Sequence, residues 1–136
     1  MTTPLTRQNG EQLQANQLLS IVIPTFNRAE FLDYSLKIHI PLAREYNIQL
    51  FISDNASTDA TFHVSHKWKK EYPLLYYYRN ESNVGVDQNF ELALKYPQTK
   101  YIWLLGDTYK ITSDCIRYLL EFVTANKEDY DAIVFN

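Results

Sequence analysis

Cysteine, glycine and long apolar runs are all scarce in this chain of 136 residues. A single cysteine, Cys115, excludes an internal disulfide framework and fits a reducing, cytoplasmic setting. Only three glycines occur, and none belongs to a G-x-G-x-x-G, a G-x-x-x-x-G-K-[ST] or a G-x-S-x-G, so the dinucleotide, P-loop and nucleophile-elbow readings lack their fingerprints. No apolar run approaches the roughly 20 residues that span a bilayer, and the opening MTTPLTRQNGEQLQANQ has no signal-peptide apolar segment. Positive charge is also short. Lys+Arg number 13 against 16 Asp+Glu, a net charge of -3, the wrong sign for a chain that tracks a nucleic-acid backbone.

What is present is a folding chain. Hydrophobic residues at 46% and charged residues at 21% match a globular domain, and the length supports one core rather than two. Aromatics reach 15%, eleven of them tyrosine, which favours a sheet-rich interior.

Residues 1–17 carry no periodicity and read as a flexible tail or short surface helix. The domain proper runs over 18–136. Leu18 to Ile23 is a near-continuous β-branched run that suits a strand buried on both faces, and it stops at Pro24. A helix follows over 29–39, with Phe31, Leu32, Leu36, Ile38 and Ile40 as its apolar positions; Pro41 should end it, kink it or start a second helix. Ile48–Ile52 is the next strand, 60–71 a helix ended by Pro73, and Leu74–Tyr78 a third strand. Residues 86–96 read as a helix with Phe90, Leu92, Ala93 and Leu94 on or near its buried side. Tyr101–Leu105 is a fourth strand. Ser113 or Asp114 caps a helix to about residue 125, with Ile116, Leu119, Leu120 and Val123 at core spacing. Asp131–Phe135 reads as a fifth strand. This alternation predicts an α/β fold, a mostly parallel sheet flanked by helices on both faces.

In open sheets of this kind ligands bind beyond the carboxyl ends of the strands, near a switch in strand order. Those ends carry Pro24-Thr25-Phe26-Asn27-Arg28, Asp54-Asn55-Ala56-Ser57-Thr58-Asp59, Asn83-Val84-Gly85 and Gly106-Asp107-Thr108-Tyr109. An aspartate directly after a strand can accept from a base or ribose, or hold a cation against phosphates. Phe26 offers a flat face to a base, and Arg28 a charge to phosphate. Together they describe a nucleotide site built without a glycine loop.

Structural readings compete with these. Asp59 can be a helix cap, Phe26 core filling, Arg28 a surface residue at a helix start, Asn83 and Gly85 turn chemistry, and Asn89 a water-facing helical position. His63 and His66 are three apart, but Lys67, Lys69 and Lys70 follow and repel a cation, so a solvated face is the better reading. His39 reads as structural, Cys115 as packing, and Tyr76-Tyr77-Tyr78 as an aromatic strand.

With these blocks in this order, the chain from Leu18 onward resembles the nucleotide-sugar-binding half of an inverting family-2 glycosyltransferase of the GT-A fold. The resemblance rests on Ser20 to Arg28, on Ser53 to Asp59, on Asn83-Val84-Gly85 with Asn89, and on Tyr101 to Asp107. It implies that Pro24, Thr25 and Phe26 line a base pocket, that Asp54 accepts from the base, and that Ser57 and Asp59 shape the loop. Arg28 and Asn55 join the nucleotide-binding set, with Asn83, Gly85 and Asn89 on the ribose and sugar side. Asp107 would be the first acid of the family's acidic motif, at the ribose and diphosphate. The sequence departs where the family's Gly-Asp-Asp-Asp becomes Gly106-Asp107-Thr108-Tyr109: Tyr109 stands where the metal-ligating acid is usual. Magnesium or manganese would then be held by Asp107 alone, weakly, with Lys110 helping to neutralise the diphosphate.

The implied reaction is sugar transfer from a nucleoside diphosphate, UDP-type by preference, to a glycan or lipid-linked acceptor. The general base and the acceptor site would lie beyond Asn136, so this chain would bind donor and transfer nothing by itself. The complete protein would be cytoplasmic or membrane-peripheral. A non-catalytic nucleotide-binding or interaction module is the alternative. A sugar nucleotidylyltransferase is disfavoured, because Pro24 to Arg28 is not a glycine-rich phosphate loop.

Overall fold

Four short runs rich in β-branched and aromatic residues line up side by side, and their burial fixes the arrangement of everything else. A computed structural model describes residues 5–6, 12–13, 15–126 and 130–133. Strands β1 (Leu5–Thr6) and β2 (Gln12–Leu13) form a two-residue antiparallel ladder. Strand β3 (Leu19–Thr25), helix α1 (Ala29–Tyr46), β4 (Gln49–Asp54), α2 (Thr61–Glu71), β5 (Leu75–Arg79), α3 (Val86–Ala93), β6 (Tyr101–Leu104) and α4 (Ser113–Ala125) follow. The main sheet is four-stranded and parallel, in the order β5-β4-β3-β6.

Alternation along β3 splits the interior. Leu19, Ile21 and Ile23 pack into the larger core with Leu32, Leu36 and Ile40 of α1 and Ile116, Leu119 and Val123 of α4. Val22 points the other way and packs with Phe51 and with Ala93 of α3. Both faces of β3 and β4 are therefore covered, and every residue of those two strands is buried.

Several expectations shift. Strand β3 does not stop before Pro24 but runs through it to Thr25. The last rung towards β6 is the Leu105 N–H donating to the Val22 carbonyl, so the donor that Pro24 lacks falls where β6 has already ended. Pro41 neither ends nor splits α1, which is one helix of 18 residues. Pro41 and Lys37, whose carbonyl loses its helical donor, are both exposed, so the orphan lies on the side of the helix that faces solvent. Phe31, at 53% exposure, and Phe90 and Leu94 lie on solvent-facing sides, because Asn89 and Ala93 form the buried side of α3. That helix ends at Ala93, short of Tyr96. Cys115 is exposed rather than packed. Of the expected strand over Asp131–Phe135, Asp131 to Ile133 are described and not in a strand; the rest lies outside the described residues. No helix among the described residues is long and apolar enough to cross a membrane.

His39, on α1, is 1% exposed. Its Nε2 accepts from the Ile111 N–H at 2.9 Å, which puts the ring proton on Nδ1, 3.1 Å from Ser35 Oγ. The ring thus ties α1 to the segment that follows β6. Burial pushes the imidazole below its ordinary value, outweighing the hydrogen bond to Ser35. Just below about pH 6.5 the unfolded chain then binds more protons than the folded one, so stability falls as pH drops from there towards the depressed folded value. Denaturation curves at a series of pH values should show that slope. His39→Gln, which keeps an acceptor for Ile111 but does not titrate, should flatten it, while His39→Ala should cost about 1–3 kcal/mol at pH 7 by orphaning a buried N–H.

Candidate functional site

Parallel pairing brings all four carboxyl strand ends to one side of the sheet. The chain runs outward from β3 to β4 to β5, then returns to place β6 on the other side of β3. The reversal falls between β3 and β6, and beyond the carboxyl ends of such strands is the position where open α/β sheets bind ligands. Thr25 ends β3, and Asp107 follows β6. Across 82 residues of sequence the Thr25 hydroxyl donates to Asp107 Oδ2 at 3.1 Å. Arg28 Nη1 sits 3.5 Å from Asp107 Oδ1. The Asp107 side chain is 10% exposed and that of Arg28 is 52% exposed, so the guanidinium stands at the mouth and the carboxylate deeper. Phe26, between Thr25 and Arg28 in sequence, is 42% exposed. Pro24 is buried in the strand beside them.

The loop after β3 is bolted to the loop after β4. Asn27 adopts a left-handed backbone with φ 50°, and its side-chain oxygen accepts from the Thr58 N–H at 2.7 Å and the Asp59 N–H at 3.3 Å. Its own N–H donates to Ser57 Oγ at 2.8 Å. Asp59 bridges two helix starts: Oδ2 accepts from the Ala29 N–H of α1 at 3.0 Å and Oδ1 from the Thr61 N–H of α2 at 3.0 Å. Desolvation works against this carboxylate, but the bonds from Thr61 and Ala29 prevail and hold it below the usual range.

A second cluster closes the loop after β5. Asn55, 3% exposed, donates to Asn83 Oδ1 at 2.9 Å and to the Gly85 carbonyl at 3.3 Å, and accepts from Asn80 at 3.0 Å and the Val84 N–H at 2.9 Å. Asn89, also 3% exposed, exchanges bonds with the hydroxyl and carbonyl of Ser53 and accepts from Asn80. Gly85, at φ 87° and ψ 164°, occupies a region essentially closed to residues with a Cβ, and starts α3 there. Asn83 and Gly85 are exposed.

Asp54, the expected base acceptor, has no exposed surface. Oδ1 accepts from the Ser57 N–H at 2.9 Å, and Oδ2 from the Tyr77 hydroxyl at 2.5 Å, with Arg79 Nε at 3.9 Å. Burial, and next the bond to Asp54, push the Tyr77 phenol well above its ordinary value, so it remains a donor. In this arrangement Asp54 organises the loop from below. The expected residues therefore fall into three groups: Thr25, Arg28 and Asp107 meet directly; Asn55, Asn83, Gly85 and Asn89 share one polar cluster; Asp54 stands apart among Ser57, Tyr77 and Arg79.

Lys110 does not turn towards Asp107. Its ammonium donates to the Tyr34 hydroxyl at 3.0 Å and lies 5.0 Å from that ring's centre. The cation beside Asp107 is Arg28. Among the described residues no three His, Cys, Asp or Glu side chains gather into a metal site. One carboxylate with a neighbouring hydroxyl fits a magnesium or manganese ion only when substrate phosphates and water complete its oxygen shell.

Residues 20–135 match the family described as glycosyl transferase family 2. The chain belongs to that family. Abequosyltransferase RfbV of Salmonella typhimurium is 33% identical over 117 residues, covering 83% of this chain and 34% of the relative. The minor teichoic acid biosynthesis protein GgaB of Bacillus subtilis is 24% identical over 119 residues, 87% of this chain and 13% of the relative. The chain thus spans about a third or less of the length of these relatives. Among solved structures, Pyrobaculum calidifontis mannosyltransferase PcManGT, in complex with GDP-Man and Mn2+, superposes with a TM-score of 0.67 at 18% identity, covering 77% of this chain and 32% of that one. Staphylococcus aureus TarS in complex with UDP-GlcNAc does so with a TM-score of 0.69 at 19% identity, covering 79% and 31%. The fold of this family 2 chain is the GT-A fold.

Asn27, Ser53, Tyr77, Arg79 and Asn80 carry bonds at the site that the sequence reading did not assign to them. Asn27 carried a usable signal, an asparagine in a loop that must turn. Tyr77 and Arg79 did not, since within an aromatic strand nothing distinguishes the side chains that reach a buried aspartate. The double cap predicts that Asp59→Ala lowers stability by about 1–2 kcal/mol, since both helices lose an N-terminal acceptor. Asp59→Asn should recover part of the loss, and urea midpoints with unchanged slopes would check both.

Proposed function

We propose that this chain is the donor-binding portion of an inverting glycosyltransferase, taking a nucleoside diphosphate sugar, of UDP type first, towards a glycan or lipid-linked acceptor. The observation that carries the reading is the contact of Thr25 and Arg28 with Asp107 at the switch in strand order. It sets a cation and a carboxylate at the loop that also carries the exposed Phe26, the groups needed for diphosphate, ribose and base. The family and the nucleotide sugars in the TarS and PcManGT complexes support it.

On this reading Phe26 stacks on the base, with Pro24 and Thr25 forming the floor. Arg28 meets the diphosphate. Asp107 faces ribose and diphosphate, and would hold the shared magnesium or manganese ion, whose chemistry is to offset charge on the departing diphosphate. Asn83 and Gly85 border the ribose and sugar side, while Asp54, Asn55 and Asn89 set the loops from beneath. Inversion needs a base to take the acceptor's proton in line with the breaking bond. We assign that base and the acceptor site to the part of the full-length relatives that this chain does not span. The exposed free thiol of Cys115 fits a reducing compartment, and the cytoplasm is the location proposed.

A binding module without transfer activity draws on Tyr109 in the place of an acid. Both readings require donor binding, and a turnover assay on the full-length protein separates them. Thermal unfolding with UDP, CDP, dTDP and GDP, each with and without Mg2+ or Mn2+, tests the shared step, because a ligand of the folded state raises the midpoint. At least one nucleoside diphosphate should raise it. Arg28→Ala and Asp107→Asn should each weaken that ligand about tenfold or more, the scale of one charge-assisted contact. No shift with any of the four would sink the proposal.

A further inference from the structure

Consecutive tyrosines make up the middle of β5, and the pleat divides them. Tyr76 and Tyr78 stack on Phe51 of β4, with ring centres 5.1 Å and 6.4 Å from it. Tyr77 points to the opposite face, where its ring packs edge to face with Phe62 and His66 of α2. A phenylalanine would make the same ring contacts. What the hydroxyl adds is the bond to Asp54 Oδ2 at 2.5 Å.

From Asp54 a chain of bonds crosses the strand ends. Asp54 Oδ1 accepts from the Ser57 N–H at 2.9 Å, Ser57 Oγ from the Asn27 N–H at 2.8 Å, and Asn27 Oδ1 from the Thr58 N–H at 2.7 Å. Two backbones along it are left-handed, Ala56 at φ 62° and Asn27 at φ 50°. Ala56 lies inside the turn that the Asp54–Ser57 bond closes. An alanine side chain offers nothing to hold that conformation, so the turn keeps its shape only while the bonds around it hold. Asn27 lies between Phe26 and Arg28, so its backbone sets where both side chains leave the chain, and Arg28 is the cation that meets Asp107. We propose that Tyr77 is a positioning residue for the nucleotide: its hydroxyl, on β5, holds the segment from Phe26 to Arg28 in binding geometry through Asp54, Ser57 and Asn27. This deepens the donor-binding reading and rests on it. A relay of this kind is stiff only when every link is made.

Isothermal titration of UDP, CDP, dTDP and GDP, run well below the unfolding midpoint of each variant, reads the nucleotide step; amide hydrogen exchange without nucleotide reads the relay itself. Tyr77→Phe should weaken the best-bound diphosphate about tenfold, the scale of one hydrogen bond to a charged group. It should also speed exchange at Asn27, Ser57 and Thr58 while leaving Ile21 and Val22 of β3 unchanged. A purely structural loss would lower the midpoint and leave the affinity of the folded protein alone. Tyr78→Phe, which removes a hydroxyl from the other face, should stay within about twofold of wild type. Ser57→Ala breaks the same relay one link further on, so the double variant should bind no more weakly than the weaker single one, whereas independent losses would multiply. If Tyr77→Phe binds the diphosphate or exchanges those amides as wild type does, if Tyr78→Phe weakens binding as much, or if the two losses multiply, the positioning role is wrong while donor binding stands. If no diphosphate binds wild type, the donor reading fails and the positioning role with it.

Discussion

The pairing of β3 on both of its edges as far as Val22, and on only one edge beyond it, is the constraint on which the site depends. β4 accompanies β3 to its end, Thr25 lying opposite Asp54, whereas β6 drops away after Val22 pairs with Leu104. Three residues of a fully buried strand, Ile23, Pro24 and Thr25, are thus left without a neighbour on one side. Proline is admissible there because no donor is wanted, and Thr25 can turn its hydroxyl towards the loop that leaves β6. Full cooperativity with the core fixes Thr25 in place, so Asp107 is held by an element that cannot move without breaking the sheet.

The loops above the sheet are held by polar bonds rather than by glycine or by apolar packing. Asn55, Asn80 and Asn89 form a closed set, and among the described residues no buried side-chain nitrogen or oxygen lacks a partner. Such a network is rigid when complete and costly when broken. Asp54 shows the same economy with a charge: a carboxylate without exposure is tolerable only when bonded and paired, and a backbone N–H and a phenol donate to it while the Arg79 guanidinium, 3.9 Å away, supplies the counter-charge. Among the described residues three left-handed ones other than glycine, Asn27, Asn47 and Ala56, are further signs of backbones fixed by their surroundings.

Much of this was legible beforehand for a physical reason. Period-2 and period-3.6 patterns report burial, and burial decides strands such as Ile21 to Ile23 and helices such as Ile116 to Val123. Patterns misled where the buried side was chosen by the neighbour rather than by hydrophobicity. Beneath α3, Ser53 of β4 and Asn80 just after β5 offer polar partners, so Asn89 goes inside and Phe90 stays out. Pro41 misled because a lost helix bond costs little where water replaces it. At the site, Thr25, Arg28 and Asp107 were legible because strand ends converge in a parallel sheet. The burial of Asp54 was not, since it depends on Tyr77 and Arg79 from an adjacent strand, and nothing local encodes which side chains cross between strands.

The electrostatics of the crevice bear on how a donor and a cation would enter. Arg28 and Asp107 are 3.5 Å apart with the guanidinium half exposed, and a pair of that kind is worth no more than about 1 kcal/mol. On the proposed reading a diphosphate would draw Arg28 away from Asp107 and from the Phe31 ring, whose centre lies 5.6 Å from the guanidinium, at small cost. Asp107 cannot follow, because Thr25 holds its other oxygen and only a tenth of its side chain reaches solvent. Once Arg28 turns to phosphate, the carboxylate faces the same anion without its counter-charge, and a divalent ion shared with the phosphates would remove that repulsion. Ion and nucleotide would then bind with positive coupling, each raising the other's affinity by the same factor. The same argument explains why an ion alone would bind poorly: without the diphosphate, Arg28 already occupies the place of the cation, and one carboxylate is the whole of the protein's donor charge there. On the proposed reading, a chain with few glycines and one acid at this point would meet phosphates through Arg28 and Asp107.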